Sequence, residues 1–76
     1  MIMTATPTPQ KVAQRIRMQA ARMGISHAEL AKRIGISKTA MNEITKGRNF
    51  PRAQTLAALA VEFGVTTDYL LGLSDE

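Results

Sequence analysis

The chain has 76 residues, enough for one small domain, and it contains no cysteine, which excludes disulfides, thiol nucleophiles and zinc–thiolate sites. No apolar run approaches the roughly 20 residues of a membrane span, and no signal-peptide pattern is present, so we expect a cytoplasmic protein with no membrane partner. All ten Lys and Arg residues lie between Lys11 and Arg52 with only two acids among them, a net charge of +8, whereas residues 53–76 carry four acids and no cation, a net charge of −4. The basic half is therefore a candidate for binding a polyanion, and the acidic half would be repelled by DNA.

The N-terminal third predicts a tail followed by one helix. Residues 1–9 are rich in Thr and Pro and lack helical periodicity, which predicts a disordered N-terminal tail. A first helix is predicted over residues 10–23, where apolar side chains recur at helical spacing, and Gly24 ends it. Its predicted buried face consists of Val12, Ile16, Ala20 and Met23.

A second helix is predicted over residues 26–34. Ser26 followed three residues later by Glu29 is a capping box, in which each side chain satisfies a free backbone amide at the helix start. Gly35 ends this helix, because the left-handed backbone of a helix C-terminus is cheap only for glycine. Only Ile36 then separates this glycine from the next N-cap, so the two helices are expected to be joined by a tight turn.

A third helix is predicted over residues 37–46, with Ser37 as its N-cap. Met41 and Ile44 are expected to point inward. The opposite face carries polar residues, namely Lys38, Thr39, Asn42, Glu43 and Lys46.

The C-terminal part predicts two more helices. A fourth is predicted over residues 53–63 from apolar residues at i, i+3, i+4 and i+7, and a short fifth over residues 66–72. No internal repeat is evident, and residues 73–76 are expected to be frayed. The predicted architecture is all-α: a compact five-helix bundle over residues 10–72.

This order of features resembles the helix-turn-helix of the phage repressor and Cro family. The resemblance rests on Ala31, on Gly35 four residues later and on the apolar Met41 six residues beyond that. The segments 47–51, 55–66 and 68–72 are similar to the loop, fourth helix and fifth helix of the family, so the resemblance covers about residues 10–72. It implies a DNA-binding transcription regulator, expected to be a repressor that binds a pseudo-palindromic operator as a dimer.

Two departures from the family pattern are visible. Family members often have an arginine at the position of Ala20 and a glutamate at that of Thr45, which form a partly buried ion pair. Here both residues are small and uncharged, and losing both partners together can be nearly neutral. Arg52 takes the N-cap position of the fourth helix, where serine is common and a cation opposes the helix dipole.

The resemblance also assigns roles to exposed residues. The base-reading positions of the family fall on the start of the third helix, and their chemistry suits base edges: amine and amide donors, a methyl group and a carboxylate acceptor. These residues are Lys38, Thr39, Asn42 and Glu43. Glu43 has an alternative role, since it can instead pair with a nearby cation. Phosphate contacts are predicted for Ser26, His27, Lys46, Arg48, Asn49 and Arg52.

Other functions remain open from the sequence. The acidic, apolar C-terminal half could bind a protein partner, as in an antitoxin or adaptor, or could complete a homodimer through Tyr69, Leu70 and Leu73. An enzyme is not expected, because a single histidine and scattered acids provide no convergent catalytic group. No cofactor or metal site is predicted. The operator sequence, an effector, and repression versus activation cannot be read from these residues.

Overall fold

The computed structural model describes residues 6–75, which contain five α-helices. These are α1 (Pro9–Met23), α2 (His27–Ile34), α3 (Lys38–Thr45), α4 (Ala53–Phe63) and α5 (Thr67–Leu71). The all-α prediction is confirmed, and each helix end lies within one residue of the predicted position. Thr8 caps α1 through its side chain and Pro9 is the first helical residue, so the helix includes the end of the predicted tail. The rest of that prediction, residues 1–5, lies outside the described residues.

Three connections share one turn pattern: a buried alanine, a glycine four residues later, an aliphatic residue, and then Ser or Thr. The copies are residues 20–26, 31–37 and 60–66. In each copy the glycine has a left-handed φ of 68–76°, and the following amide donates to the alanine carbonyl at 3.0–3.1 Å. The hydroxyl then accepts from the amide three residues later at 3.0 Å. The chain thus contains a short repeat, contrary to the prediction, and each copy joins two helices tightly.

The core forms where α1 packs against α3, α4 and α5 while α2 packs against α3 and α4. Ile16, Leu30, Met41, Leu59 and Leu70 are fully buried there. Burial of each such side chain stabilises the fold by roughly 1.5–3 kcal/mol. Met23 is predicted on the buried face of the first helix, but it is the last residue of α1 and is 39% exposed.

Ala20 and Thr45, where family members often have an ion pair, are both buried. The Thr45 hydroxyl donates to the Met41 carbonyl at 2.9 Å, inside its own helix. Among the described residues, no buried side-chain nitrogen or oxygen lacks a hydrogen-bond partner. The joint loss of both charges therefore leaves no stranded buried group.

Two arginines form bonds between helices. Arg15 on α1 donates to the carbonyls of Tyr69 and Ser74 at 3.0 and 2.7 Å, and its guanidinium lies 4.3 Å from the centre of the Tyr69 ring. Arg33 on α2 bonds Glu29 and Glu62, each at 3.1 Å, and these two hydrogen bonds raise the pKa of Arg33, that to Glu29 most. Within residues 6–75, no helix combines the length and apolar character needed to cross a membrane.

Candidate nucleic-acid interface

The turn between α2 and α3 fixes how the third helix is presented. Gly35 is left-handed, with φ 76° and ψ 34°, and Ile36 is half-buried beneath the turn. Ser37 is extended and its hydroxyl accepts from the Ala40 amide at 3.0 Å. Met41 and Ile44 anchor the helix in the core. The opposite face of α3 is consequently turned outward.

That outward face carries three of the predicted base-reading residues. Lys38, Thr39 and Asn42 are all exposed. None of them has a side-chain hydrogen bond or ion pair to another described residue. With His27 from the start of α2, they line a shallow groove of about 350 Å³. Hydrogen-bond donors without a partner on this exposed face are available to an external ligand. Buried polar groups, in contrast, normally have their hydrogen bonds within the protein.

Ser26 and His27 form the exposed start of α2. The Ser26 hydroxyl accepts from the Glu29 amide at 3.0 Å, which is one half of the predicted capping box and leaves the hydroxyl hydrogen free to donate. The Glu29 carboxylate, predicted to bond the Ser26 amide, accepts from Arg33 at 3.1 Å instead. His27 is the first helical residue and faces the same groove as Lys38. The structure therefore brings these two predicted phosphate-binding residues next to the predicted base-reading face.

Glu43 and Arg48 are paired with each other. The Arg48 guanidinium donates to the Glu43 carboxylate at 2.8 Å, and the Arg48 amide donates to the Glu43 carbonyl at 3.0 Å. The Glu43 side chain is 34% exposed and that of Arg48 is 59% exposed. This geometry agrees with the alternative interpretation of Glu43, as the partner of a cation, and it joins a predicted base reader to a predicted phosphate ligand.

The loop after α3 and the start of α4 form the other edge of the same surface. Lys46, Asn49 and Arg52 are exposed there. Arg52 is the N-cap of α4 and makes no side-chain capping bond, as expected for a cation at that position. A second groove runs between this loop and α3, lined by Glu43, Asn49, Arg52 and Gln54 among others. Gln54 was not predicted as a site residue, because its sequence position indicates only an exposed residue in the first turn of a helix.

The charges at the helix starts fall into two groups. An acid in the first turn stabilises a helix through the dipole, and α2 and α5 have Glu29 and Asp68 there. Helices α1, α3 and α4 have no acid in the first turn, and each has a cation at its start instead: Lys11, Lys38 and Arg52. Two of these cations, Lys38 and Arg52, border the outward face of α3.

The predicted dimer residues lie near the C-terminal end of the sequence, in α5 and just after it. Leu70 is fully buried in the core of its own chain, so its side chain cannot contact a partner and that part of the prediction is wrong. Tyr69 is half-buried, and its hydroxyl accepts from Gln19 at 3.1 Å. Leu73 is 45% exposed. Sequence periodicity could not show which of these three residues faces the core, because α5 is too short to establish a periodic pattern.

No group of three or more His, Asp or Glu side chains within residues 6–75 is arranged to hold a metal ion. Arg33, whose pKa is raised by its hydrogen bonds to Glu29 and Glu62, lies in a surface ion-pair network between α2 and α4. The chemistry that this surface offers is thus hydrogen bonding and positive charge.

The chain is similar to known helix-turn-helix proteins in sequence and in fold. A family model described as Helix-turn-helix matches residues 14–70. The fold is similar to that of the P22 c2 repressor in complex with a synthetic operator, with 28% identity, a TM-score of 0.77, and coverage of 83% of this chain and 96% of that one. It is also similar to the N-terminal DNA-binding domain of SinR from Bacillus subtilis, with 27% identity, a TM-score of 0.76, and coverage of 82% and 91%. The SOS-response transcriptional repressor LexA from Eubacterium rectale gives 28% identity, a TM-score of 0.77, and coverage of 88% and 73%. No curated protein matches the sequence significantly.

Proposed function

We propose that this chain, which belongs to the phage repressor and Cro-type helix-turn-helix family of DNA-binding transcription regulators, is a repressor that reads a specific duplex sequence as a dimer. The observation that carries the proposal is the unpaired, exposed face of α3, bordered by cations at the starts of α3 and α4. The P22 c2 repressor was solved on an operator, and the matched SinR domain is a DNA-binding domain. Both support DNA as the ligand of this surface.

In this proposal α3 lies in the major groove with its N-terminal residues at the base edges. Lys38 donates to guanine O6 and N7, and Asn42 forms paired hydrogen bonds with adenine N6 and N7. The Thr39 methyl group packs on a thymine methyl. Glu43 has two available roles: it can accept from cytosine N4, or it can keep its bond to Arg48. Its observed pairing favours the second role.

Phosphate contacts come from the two ends of the helix-turn-helix in this proposal. Ser26 and His27 present donors at the start of α2, where the helix dipole favours an anion. On the other side, Lys46, Arg48, Asn49 and Arg52 follow α3 along the loop. Contacts of this kind supply affinity and orientation without sequence information, and they release counterions, so the affinity should depend strongly on salt.

Dimerisation is proposed to use the end of α5. The aliphatic residues that follow the glycine in the three turn repeats are half-buried against the core. They are Ile25, Ile36 and Val65. Leu73 follows Gly72 in the same way, with the equivalent backbone bond from its amide to the Asp68 carbonyl at 2.9 Å, yet it is 45% exposed. A second copy could cover it, together with the edge of Tyr69. Because the basic half must face the DNA, the other half is the better place for a contact between two subunits that both bind DNA.

The alternative is an antitoxin or adaptor whose main partner is a protein. The observation in its favour is Val61, which is 82% exposed on α4 in the acidic half. This surface is distinct from the outward face of α3, so the two functions are separable. An adaptor alone would bind its partner with no measurable affinity for duplex DNA.

The test is selection of bound sequences from a random duplex library, followed by titration of the selected duplex at several salt concentrations and by sedimentation of the complex. We expect two related half-sites about one helical turn apart and two subunits per duplex. Selection of a single half-site by a monomer would contradict the dimer. The absence of any duplex binding would contradict the function and favour the adaptor.

A further inference from the structure

The last turn of α3 has an unusual partner at its end. Helices leave their final carbonyls without intrahelical donors, and these groups need other partners. The carbonyls of residues 42–44 accept from the backbone amides of residues 46–48 at 3.0–3.1 Å. The remaining carbonyl, that of Thr45, accepts from the guanidinium of Arg17, which belongs to α1. A side chain 28 residues earlier in the chain thus completes the C-terminus of the outward-facing helix.

A cation is well suited to that place. The C-terminal end of a helix carries partial negative charge, and α3 has no basic residue of its own in its last turn. The ion pair that family members have between the positions of Ala20 and Thr45 is absent here. Arg17 lies one turn before Ala20 on α1 and reaches the Thr45 backbone instead. In this chain α1 and α3 are therefore joined by a bond from the Arg17 side chain to the Thr45 backbone carbonyl, in place of an ion pair between two side chains.

We propose that Arg17 is a positioning residue that sets the orientation of α3 and thereby the sharpness with which Asn42 distinguishes bases. The inference rests on the base reading proposed above. The N-terminal end of α3 is fixed independently by the Gly35 turn and the Ser37 cap. The C-terminal end is held by Arg17. Asn42 lies three residues before Thr45 and Lys38 seven, so loss of Arg17 displaces Asn42 more than Lys38.

Arg15 provides a matched control on the same helix. It donates to the carbonyls of Tyr69 and Ser74, at the end of α5, in the way that Arg17 serves the end of α3. Both residues are arginines on α1 that bond backbone carbonyls near a helix C-terminus. They differ in which helix they hold, and only α3 carries the proposed base-reading residues.

The first measurement needs no DNA. In amide hydrogen exchange, Arg17→Met should speed exchange of the amides of residues 46–48 by about three- to tenfold and leave those of residues 72 and 73 unchanged. Arg15→Met should give the opposite pattern. Arg17→Lys keeps a cation with an N–H donor of similar reach and should restore most of the protection. Unchanged exchange at residues 46–48 in Arg17→Met would overturn the proposal.

The second measurement uses the duplex selected by the parent chain and a set of duplexes with single base-pair changes. Arg17→Met should reduce the preference at the Asn42 position about tenfold and that at the Lys38 position no more than about twofold. Arg15→Met should leave both preferences intact, even if it weakens all duplexes alike. A uniform loss with a reduced salt slope would make Arg17 a phosphate ligand and overturn the proposal, as would an unchanged preference. A parent that selects no sequence contradicts the proposed function itself, whereas the exchange pattern reports on Arg17 independently.

Discussion

Two units of the chain, residues 31–42 and residues 60–71, have the same backbone conformation. Each begins at a buried alanine, reverses at a left-handed glycine with ψ 34°, and caps the next helix with a hydroxyl at ψ 158°. Met41 and Leu70, each six residues after the glycine and four residues after the N-cap, are buried in the core. Backbone geometry alone therefore does not distinguish the segment proposed to read DNA from the one proposed to support a dimer.

The difference lies in the exposed side chains after the N-cap. Lys38 and Thr39 follow Ser37, and at the equivalent positions Thr67 and Asp68 follow Thr66. Asp68 stabilises its helix through the dipole and would repel a phosphate backbone; Lys38 opposes the dipole and would attract one. The same turn thus joins two helices in both places, and under the proposed function a few outward residues select the ligand.

The largest expected effect is that of salt on duplex binding, which we expect to depend on the basic residues and not on the acidic residues around α5. If a dimer places roughly 6–8 cations on phosphates, log K should fall against log salt with a slope of about −5 to −7. Between 50 and 200 mM salt the affinity should then fall about 10³–10⁴-fold. Asp68→Asn, which removes a charge on the other unit, should leave the slope unchanged. A slope near zero for the parent would remove DNA as a ligand.

The next largest effect is the loss of DNA affinity caused by single substitutions, which should differ between the two units. Lys38→Ala and Asn42→Ala should each cost about 1–3 kcal/mol on the selected duplex and less on random DNA, because they remove donors to base edges. Asn42 has no charge, so its loss should not alter the salt slope. Thr67→Ala, at the position equivalent to Lys38, should leave binding unchanged. Competition titrations on both DNAs provide the measurement, and an equal loss on both for Asn42→Ala would mean that another face of α3 enters the groove.

A third effect should be equal in the two units. Gly35 and Gly64 are both left-handed, and a Cβ added at either would have no atom within 4 Å, so the cost of a side chain is backbone strain. Gly35→Val and Gly64→Val should each lower the free energy of unfolding by about 1–2 kcal/mol or more. Chemical denaturation gives both values. A difference of more than about 1 kcal/mol between them would show that the turns are not energetically equivalent.

The sequence predicts the parts of this comparison that depend on neighbouring residues. Glycine, N-cap and apolar spacing located every helix end, since capping and turn chemistry act within a few residues. The burial of Leu70, the pairing of Glu43 with Arg48, and the bond from Arg17 to Thr45 could not be obtained in this way. They depend on how helices cross and on which side chain reaches which carbonyl, and helical periodicity does not determine either.

The exposed positions show a further limit. Lys38, Thr39 and Asn42 were assigned from family resemblance, and the structure places them together on one exposed face. Their composition alone would also suit an ordinary solvated helix surface. The comparison with α5 adds a physical reason to test them, because a cation at a helix start opposes the dipole and an anionic ligand would offset that cost.

The smallest expected effect tests that reason at the start of α4. Four N-caps among residues 6–75, namely Thr8, Ser26, Ser37 and Thr66, accept a hydrogen bond from the helix, whereas Arg52 makes none. Arg52→Ser should therefore raise the free energy of unfolding by about 0.5–1 kcal/mol, because it adds a cap and removes a cation from the positive end of the dipole. The same change should weaken duplex binding and reduce the salt slope by about one unit for each subunit bound. Arg52→Ala is the matched control: it should lose the same DNA affinity without gaining a cap. Denaturation and salt titration of both variants separate the two effects. A serine variant that gains stability with full DNA affinity would show that the cation at this helix start serves no phosphate.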